Sequence, residues 1–286
     1  MRTTAKIAAV LAAAAVLVAA AVVLRAGADG REPSLMDGER LVVGVATRMP
    51  ERGPGSWPGV RNARFDGFDT DVATYLAGRL GFGRDRVAFR HSTRDGWERD
   101  LAAGTVDIVV GAYPIAPEGR RRATYAGPYH VVHEDLLVRA GDETIRNVRD
   151  LRGKRLCQVT GGPGAGAARQ VVEGLGIAAT PVPAGTYRDC VEALTRNRVD
   201  AVTGDDVLLA RLAATTGDGG AVPLNAPFAA ERQGIGLREG DVRACLAVNR
   251  HITEMYQSGA AETLLQEWYG TARLDVTTTV PAFEGC

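Results

Sequence analysis

Two patterns of hydrophobic and polar positions alternate along the chain, one typical of strands and the other typical of helices. Short runs that predict strands occupy residues 41–46, 87–91, 106–111, 155–160, 201–203 and 232–237. Helical periodicity predicts helices at residues 67–80, 97–103, 165–175, 187–197, 207–215, 242–258 and 261–269. Because strands that alternate with helices are typical of parallel βαβ units, the sequence predicts an α/β protein with two such blocks.

The helix predicted at residues 67–80 has the most regular pattern. Gly67 precedes two acidic residues, of which Asp69 is the predicted N-cap and Asp71 falls in the first turn, where the helix dipole favours a carboxylate. An apolar stripe follows at helical spacing. It consists of Val72, Tyr75, Leu76, the stem of Arg79 and Leu80.

The first 28 residues differ in kind from the rest of the chain. Arg2 and Lys6 precede an apolar run at residues 7–24, and small residues follow it up to Ala28, which is the layout of a secretory signal. The run is also long enough to cross a bilayer, so residues 1–28 are predicted to be a signal peptide or a membrane anchor. Both alternatives place the rest outside the cytoplasm. Residues 29–40 form a polar linker, and the first cysteine is Cys157, which excludes a lipid-modified N-terminal cysteine.

Charge and short motifs exclude several kinds of partner. The 34 Lys and Arg balance the 34 Asp and Glu, so nothing points to nucleic acid or to an anionic membrane surface. Gly162, Gly164 and Ala167 fit a dinucleotide-binding pattern, but the acidic residue expected about 20 positions later is absent. His130 and His133 would point to opposite faces of a strand, so they could not bind one metal ion together. We therefore predict no bound metal and no cofactor. We place His133 at the rim of a cleft or at a hinge.

Six segments, in order, resemble the family 3 extracellular solute-binding proteins, which are the receptors of polar amino-acid ABC importers. They lie at residues 67–80, 95–96, 104–107, 125–129, 150–154 and 199–205, and the resemblance covers about residues 41–270. Two further segments, residues 156–161 and 187–191, are similar to the glutamate- and glutamine-type receptors of Gram-positive bacteria.

The resemblance implies a fold and a mechanism. The fold would be the two-lobed type II periplasmic-binding-protein fold, with two crossover strands as a hinge. Lobe 1 would comprise residues 41–137 and 229–272, lobe 2 residues 138–228, and the C-terminal tail residues 273–286. A solute in the cleft between the lobes would stabilise their closure. The protein would then be a monomeric, non-enzymatic receptor that delivers a small polar solute, with an amino acid expected, to an ABC permease.

The same resemblance indicates an altered site for the α-carboxylate of the ligand. In the family this group is held by a segment with Ser, Thr and Arg, whereas Pro114, Ala116 and Gly119 stand in those places here. Arg120 follows directly and could supply the missing guanidinium, although a run of three arginines is also typical of a solvated surface. Two interpretations stay open. Arg120 points inward and the site binds a polar or acidic amino acid, or the carboxylate site is lost and another solute binds.

Other positions complete the candidate site. Asp205 matches the carboxylate that family members place against the α-ammonium, and it is also a predicted helix N-cap. Arg94 stands where many members carry an aromatic residue that stacks on the ligand. The turn of the second lobe lacks the usual hydroxyl because it reads Gly162 and Pro163. The candidate ligand-binding residues are therefore Arg94, Tyr113, Pro114, Arg120, Gly162, Pro163 and Asp205.

Four cysteines in an exported chain predict two disulfides, for which three pairings exist. Their spacing favours Cys157–Cys190 and Cys245–Cys286, because each bridge then closes within one lobe. The alternative is four buried thiols.

Two other functions stay open from sequence. An anchored sensor domain is favoured if residues 7–24 are not cleaved. A dehydratase-like enzyme on the same fold would need an acid and a base with tuned pKa values in the cleft, and Asp205 and Asp206 have no convincing partner in the sequence.

Overall fold

The computed structural model describes residues 33–45, 65, 67–93, 96–115, 122–160, 165–217, 220–269 and 279–286, without the side chains of residues 112–114, 165 and 167. The helices and strands below all belong to the unit Leu35–Cys286. The signal peptide or anchor predicted at residues 1–28 lies outside the described residues, so it stays a prediction.

The described residues form nine strands and seven α-helices. The strands are β1 (Leu41–Val45), β2 (Val87–His91), β3 (Ile108–Pro114), β4 (Thr124–Arg139), β5 (Arg155–Val159), β6 (Thr180–Ala184), β7 (Ala201–Asp205), β8 (Ala221–Pro223) and β9 (Ala229–Leu237). The helices are α1 (Phe68–Arg79), α2 (Trp97–Ala102), α3 (Ala165–Gly174), α4 (Tyr187–Thr195), α5 (Asp206–Thr215), α6 (Val242–Gln257) and α7 (Ala260–Tyr269). Short 3-10 helices occur at Leu35–Asp37, Arg84–Arg86 and Val148–Leu151.

All nine strands belong to one sheet with two parallel parts. The order is β2-β1-β3-β9-β4-β7-β5-β6, and β8 pairs with β4. In the first half, β1 is parallel to β2 and β3; in the second half, β5 is parallel to β6 and β7. Between the halves, β4 and β9 run antiparallel to each other. The α/β architecture with parallel βαβ units, predicted from sequence, is therefore confirmed.

The long strands β4 and β9 belong to both halves. Residues 124–126 of β4 pair with residues 235–237 of β9, and after an irregularity residues 130–134 pair with residues 229–233. Residues 134–138 of β4 then pair with β7 of the second half. β9 pairs with β3 of the first half near its C-terminal end. These are the two crossover strands of the predicted two-lobed type II fold.

Helices cover both faces of the sheet, as parallel strands require. In the first half α1, α6 and α7 enclose one core, whose largest fully buried members include Leu41, Leu76, Ile108 and Tyr129. On the other face Trp97 of α2 packs edge-on against Tyr125, with ring centroids 5.6 Å apart. Gly236 allows this approach, because a Cβ there would lie 2.9 Å from the Trp97 ring. In the second half, Leu137 and Leu209 mark the core under α4 and α5, and Leu136 and Leu156 the core on the opposite face.

The acidic residues at the start of α1 are structural, but one of them differs from the prediction. Gly67, not Asp69, is the N-cap, and no side chain caps this helix. Asp69 instead accepts a hydrogen bond of 2.5 Å from the Tyr129 hydroxyl, and Asp71, in the first turn as predicted, accepts one of 2.8 Å from Trp268 Nε1. Both carboxylates thus tie α1 to distant elements. Arg79 is exposed rather than part of the apolar stripe.

Several strands differ from the sequence prediction: β8 has no predicted counterpart, β9 begins three residues earlier and β7 ends two residues later. Strand β6 was not predicted because it contains Pro181 and Pro183, which suit only an edge strand, and β6 is the edge of the second half. β4 has no predicted counterpart, because its sixteen residues cross from one core to the other without a single alternating pattern. β3 begins two residues later and ends three residues later than predicted.

The chain has two disulfides among its described residues, and each closes a separate loop. Cys157 on β5 is bridged to Cys190 on α4, and Cys245 on α6 is bridged to Cys286, over sequence separations of 33 and 41 residues. This is the pairing that the spacing favours. Neither bridge links the first half of the sheet to the second.

We predict that Tyr129→Phe lowers the free energy of unfolding by about 1–3 kcal/mol, because it leaves the buried Asp69 carboxyl without its hydroxyl donor. Urea unfolding at neutral pH measures the change.

Tyr75→Phe is the matched control. The Tyr75 hydroxyl is buried on the same helix as Asp69 and has no hydrogen-bond partner among the described residues, so its removal should be neutral or stabilising. Equal losses in the two variants would show that the Asp69–Tyr129 bond contributes nothing specific.

Candidate functional site

The two halves of the sheet meet where β4, β7 and β9 lie side by side, and acidic side chains concentrate there. Glu134 lies on β4, Glu231 on β9 and Asp205 at the end of β7, and Asp206 begins α5. The register of the strands determines how these four residues are arranged.

Three of the four acidic residues lie on one face of the sheet. Glu134 is directly opposite Asp205, and Val132, two residues before Glu134, is directly opposite Glu231. Because opposite residues share a face and alternate residues return to it, Glu134, Asp205 and Glu231 project from the same side. Opposite Cβ atoms lie about 5 Å apart and diagonal ones about 7–8 Å apart, so the three carboxyl groups are close neighbours.

Asp205 connects a strand to a helix. Its carboxylate accepts a hydrogen bond of 2.7 Å from Leu208 N and so caps α5, as the sequence predicts. Burial is the main cause that raises the pKa of Asp205 to about 7; the Leu208 bond acts in the opposite sense, and Asp206 and Glu231 raise the pKa further. Arg211 is a nearby cation that favours the charged form. The cap leaves lone pairs on Asp205 that a cationic group could use.

Glu134 is the most unusual residue of the site. Its side chain is 0% exposed, and neither carboxylate oxygen has a hydrogen-bond partner among the described residues. Burial raises the pKa of Glu134 to about 8, and repulsion from Glu231, Asp205 and Asp206 adds to this effect. The nearby Thr203 hydroxyl lowers the pKa slightly, although it too lacks a hydrogen bond of ordinary geometry. Near neutral pH the folded protein therefore holds a proton on Glu134.

The two histidines of β4 have separate surroundings, as predicted from their spacing. His130 is buried, lies 3.3 Å from Gln233 Oε1 and stacks on Tyr269 with ring centroids 5.7 Å apart. Burial lowers the pKa of His130 to about 4, so this ring is neutral at physiological pH. His133 is half-buried, and its Nδ1 lies 3.4 Å from the Asp206 carboxylate. His133 lies on the crossover strand β4, and its predicted role at a cleft rim or a hinge stays a prediction.

Tyr269, at the end of α7, is a residue of the first half of the structure that lies near the acidic residues. Its ring stacks on His130 and lies 5.2 Å from the Phe68 ring. Burial raises the pKa of Tyr269 well above its usual range, and Asp69 and Asp205 raise it further. The Tyr269 hydroxyl is therefore close to carboxylates from both halves of the sheet.

Most of the predicted ligand-binding residues cannot be placed. Arg94, Arg120, Gly162 and Pro163 lie outside the described residues, so their roles stay predictions. For Tyr113 and Pro114 only the backbone is described; they end β3 and pair with Gly234 and Gln233 of β9. Asp205 is the predicted residue whose surroundings are described, and it lies in the polar region at the crossover strands.

Sequence reasoning missed Glu134 and Glu231. A signal was present, because Glu134 and Asp135 directly precede the apolar run Leu136 to Val138, which predicts a buried strand. A glutamate inside such a strand is buried or at its edge, and both cases call for an explanation. The long strand was not predicted as a unit, and so its acidic residue was overlooked.

The arrangement suits the recognition of a cation. Carboxylates accept hydrogen bonds from ammonium and guanidinium groups, and low-dielectric surroundings strengthen these bonds. Among the described residues, no group of three or more His, Cys, Asp and Glu side chains is arranged to hold a metal ion. None of the described helices is long and apolar enough to cross a membrane.

Comparison with known proteins gives concordant results. The profile of the bacterial extracellular solute-binding proteins, family 3, matches residues 45–271. The glutamate-binding protein GluB of Corynebacterium efficiens is 31% identical over 255 residues, covering 85% of this chain and 83% of GluB. The L-cystine-binding protein TcyJ of Escherichia coli K12 is 29% identical over 243 residues, covering 83% and 84%.

Solved structures agree on the fold. An ancestral arginine-binding protein bound to arginine superposes with a TM-score of 0.64 at 23% identity, covering 82% of this chain and 99% of that one.

We predict that the free energy of unfolding of the ligand-free protein falls as the pH rises from 6.5 to 8. The folded-state pKa values of Glu134 and Asp205 lie above their unfolded values. Within this window the folded state still binds protons that the unfolded state has already released, so raising the pH favours the unfolded state. His130, whose pKa is lowered, acts in the opposite sense only below about pH 6.5. Glu134→Gln should reduce the fall by at least about half.

Urea unfolding at pH 6.5, 7.25 and 8 measures this dependence. Glu173→Gln, the same change on the exposed face of α3, is the control and should keep the wild-type slope. A wild-type stability that is constant over this range would contradict the raised pKa values.

Proposed function

The chain belongs to family 3 of the bacterial extracellular solute-binding proteins, and we propose from this premise that it captures a polar amino acid outside the cytoplasm and delivers it to an ABC permease. The observation that carries the proposal is the position of Asp205. Its carboxylate ends β7 beside the crossover strands, in the polar region that both halves of the sheet share. It would bind the α-ammonium group, which all amino acids have in common.

The relatives support an amino-acid ligand without identifying it. GluB is named for glutamate and TcyJ for L-cystine, and the superposed ancestral protein is bound to arginine. These three ligands share the α-ammonium and the α-carboxylate and differ in the side chain. We therefore assign the shared ammonium group to Asp205 and leave the side chain to other residues of the cleft.

Lobe closure around the crossover strands would couple binding to transport. We propose lobe 1 at residues 41–137 and 229–272 and lobe 2 at residues 138–228, with the cleft where β4 and β9 pass between them. A monomer of this kind closes when a solute contacts both lobes, because the closed form gains contacts that the open form lacks. The permease would then recognise the closed form.

The α-carboxylate needs cationic or N–H donors, for which we propose Arg120, supported by backbone groups of the turn at Gly162. Arg94 and the end of β3 at Tyr113 and Pro114 would border the cleft. The alternative, in which the carboxylate site is lost, predicts that no free amino acid binds.

A thermal-shift screen with the twenty amino acids distinguishes these alternatives. We expect at least one amino acid to raise the melting temperature, because ligand at 100-fold excess over its Kd adds about 2.7 kcal/mol of stability. Organic acids and monoamines, each lacking one of the two α-groups, serve as controls. A screen in which a monoamine or an organic acid stabilises the protein but no amino acid does would contradict the proposal.

Asp205→Asn tests the assigned residue. Asparagine caps a helix as well as aspartate does, so α5 should persist while the charge opposite the ammonium is lost. We expect amino-acid affinity, measured by isothermal titration calorimetry, to fall by at least about 100-fold.

Asp241→Asn is the matched control, because Asp241 caps α6 through Ala244 N in the same way and lies on another helix. It should leave binding unchanged. If Asp205→Asn also binds normally, Asp205 is only a helix cap.

A further inference from the structure

The carboxylates at the crossover strands exceed what one ammonium group requires. Asp205 alone would hold an α-ammonium, yet Glu134 lies directly opposite it and Glu231 diagonally across from Glu134, on the same face of the sheet. Like charges directly opposite each other on neighbouring strands destabilise a sheet, so the two carboxylates cannot both be ionised without a cost in free energy. The ligand-free protein avoids this repulsion by keeping Glu134 protonated, which leaves a buried carboxyl group without a partner of opposite charge among the described residues.

The other acidic residues have partners, whereas Glu134 makes no hydrogen bond of ordinary geometry among the described residues. Asp205 caps α5 and lies near Arg211, and Asp206 contacts His133. Both oxygens of Glu134 are unpaired among the described residues, although the side chain is fully buried. An unpaired buried polar group costs about 1–3 kcal/mol, and a charged one costs more. A bound cation would remove both the repulsion and the unpaired state.

We propose that Glu134 forms a second cation-binding subsite beside Asp205, and that the ligand is an amino acid whose side chain carries an ammonium or guanidinium group. The inference rests on the proposed function, because Asp205 is assumed to hold the α-ammonium. Glu134 binds the side-chain cation when the lobes part around β4 and β9, and closure buries the pair. Glu231, diagonally across, adds negative potential to the same subsite.

An acidic ligand does not fit this subsite, because its side chain would bring another carboxylate against Glu134, Glu231 and Asp206. An apolar side chain would leave both Glu134 oxygens unpaired, and a neutral amide or hydroxyl would donate a hydrogen bond without balancing the negative charge. A cation does both, and the low dielectric of a closed cleft strengthens the resulting ion pair.

Binding of such a ligand is linked to protons. Glu134 is protonated in the ligand-free protein at neutral pH, since its pKa is about 8, and a bound cation favours the ionised form. The charged groups that act on Glu134 are Asp205 on β7, Asp206 on α5 and Glu231 on β9. Arg211 on α5 acts on Asp205, and His133 on β4 contacts Asp206. On α3, which packs on β7 and β9, Arg169 and Glu173 are exposed. Binding should therefore release about one proton from the acidic group as a whole at pH 7.

Isothermal titration calorimetry with matched ligands tests the subsite. L-Lysine and L-norleucine differ in the terminal ammonium, and L-glutamine and L-glutamate supply a neutral and an acidic side chain. We expect lysine, ornithine or arginine to bind at least about tenfold more tightly than norleucine and glutamate. Glu134→Gln should reduce the preference for lysine over norleucine at least about tenfold while norleucine affinity changes little.

Proton release provides a second readout that a merely structural role would not change. Titrations of lysine in phosphate and in Tris, whose ionisation enthalpies differ, should give a difference in heat that Glu134→Gln reduces, the remainder coming from Asp205. Glu173→Gln is the control for the same chemical change on an exposed surface, and circular dichroism checks that both variants fold.

The outcomes separate the two proposals. If no amino acid binds, the proposed function fails and the second subsite fails with it. If glutamate or a neutral amino acid binds most tightly, or if Glu134→Gln leaves the ratio of lysine to norleucine affinity unchanged, the receptor function stands and the cation subsite is refuted. A lysine preference lost in Glu134→Gln and kept in Glu173→Gln supports it.

Discussion

A continuous backbone ladder over residues 130–138 of β4, first with β9 and then with β7, is the constraint on which the rest of the structure depends. A strand that changes partner in this way must carry its ladder from one core of the sheet to the next. Backbone groups that stay paired in this way avoid the cost of burial. The same continuity fixes which side chains face each other, so Glu134, Asp205 and Glu231 are brought together by register rather than by their own attraction.

Buried hydrogen bonds connect helices of the first half to the segment of β4 that precedes its passage to the second half. Asn249 Oδ1 on α6 accepts from Gly127 N at 2.7 Å, and the Tyr256 hydroxyl donates to Tyr129 O at 3.0 Å. Asp69 on α1 accepts from the Tyr129 side chain. Three contacts from two helices thus fix residues 127–129, directly before the segment that passes to the second half. A hinged receptor needs a rigidly held segment next to the strands that cross between its lobes.

The sequence predicts the helices and strands of this fold where the local pattern and the burial of the residues agree. The helices at 242–257 and 187–195 show clear periodicity and lie within one residue or two of their predicted bounds. The edge strand with Pro181 and Pro183 and the long β4 were not accessible, because tertiary pairing and not local preference makes them strands. The same holds for the site. Asp205 was found through resemblance, whereas Glu134 becomes significant only once the register places it opposite Asp205.

The order of the disulfides has a consequence for biogenesis. Each bridge joins cysteines that are consecutive in the sequence, Cys157 with Cys190 and Cys245 with Cys286. A chain that crosses a membrane from its N-terminus presents its cysteines in that order, so an oxidase that joins each new thiol to the previous free one produces the native pairing directly. The bridge in the second half of the sheet can form before the last helices emerge. The native pairing therefore needs an oxidant but no later exchange between the two bridges.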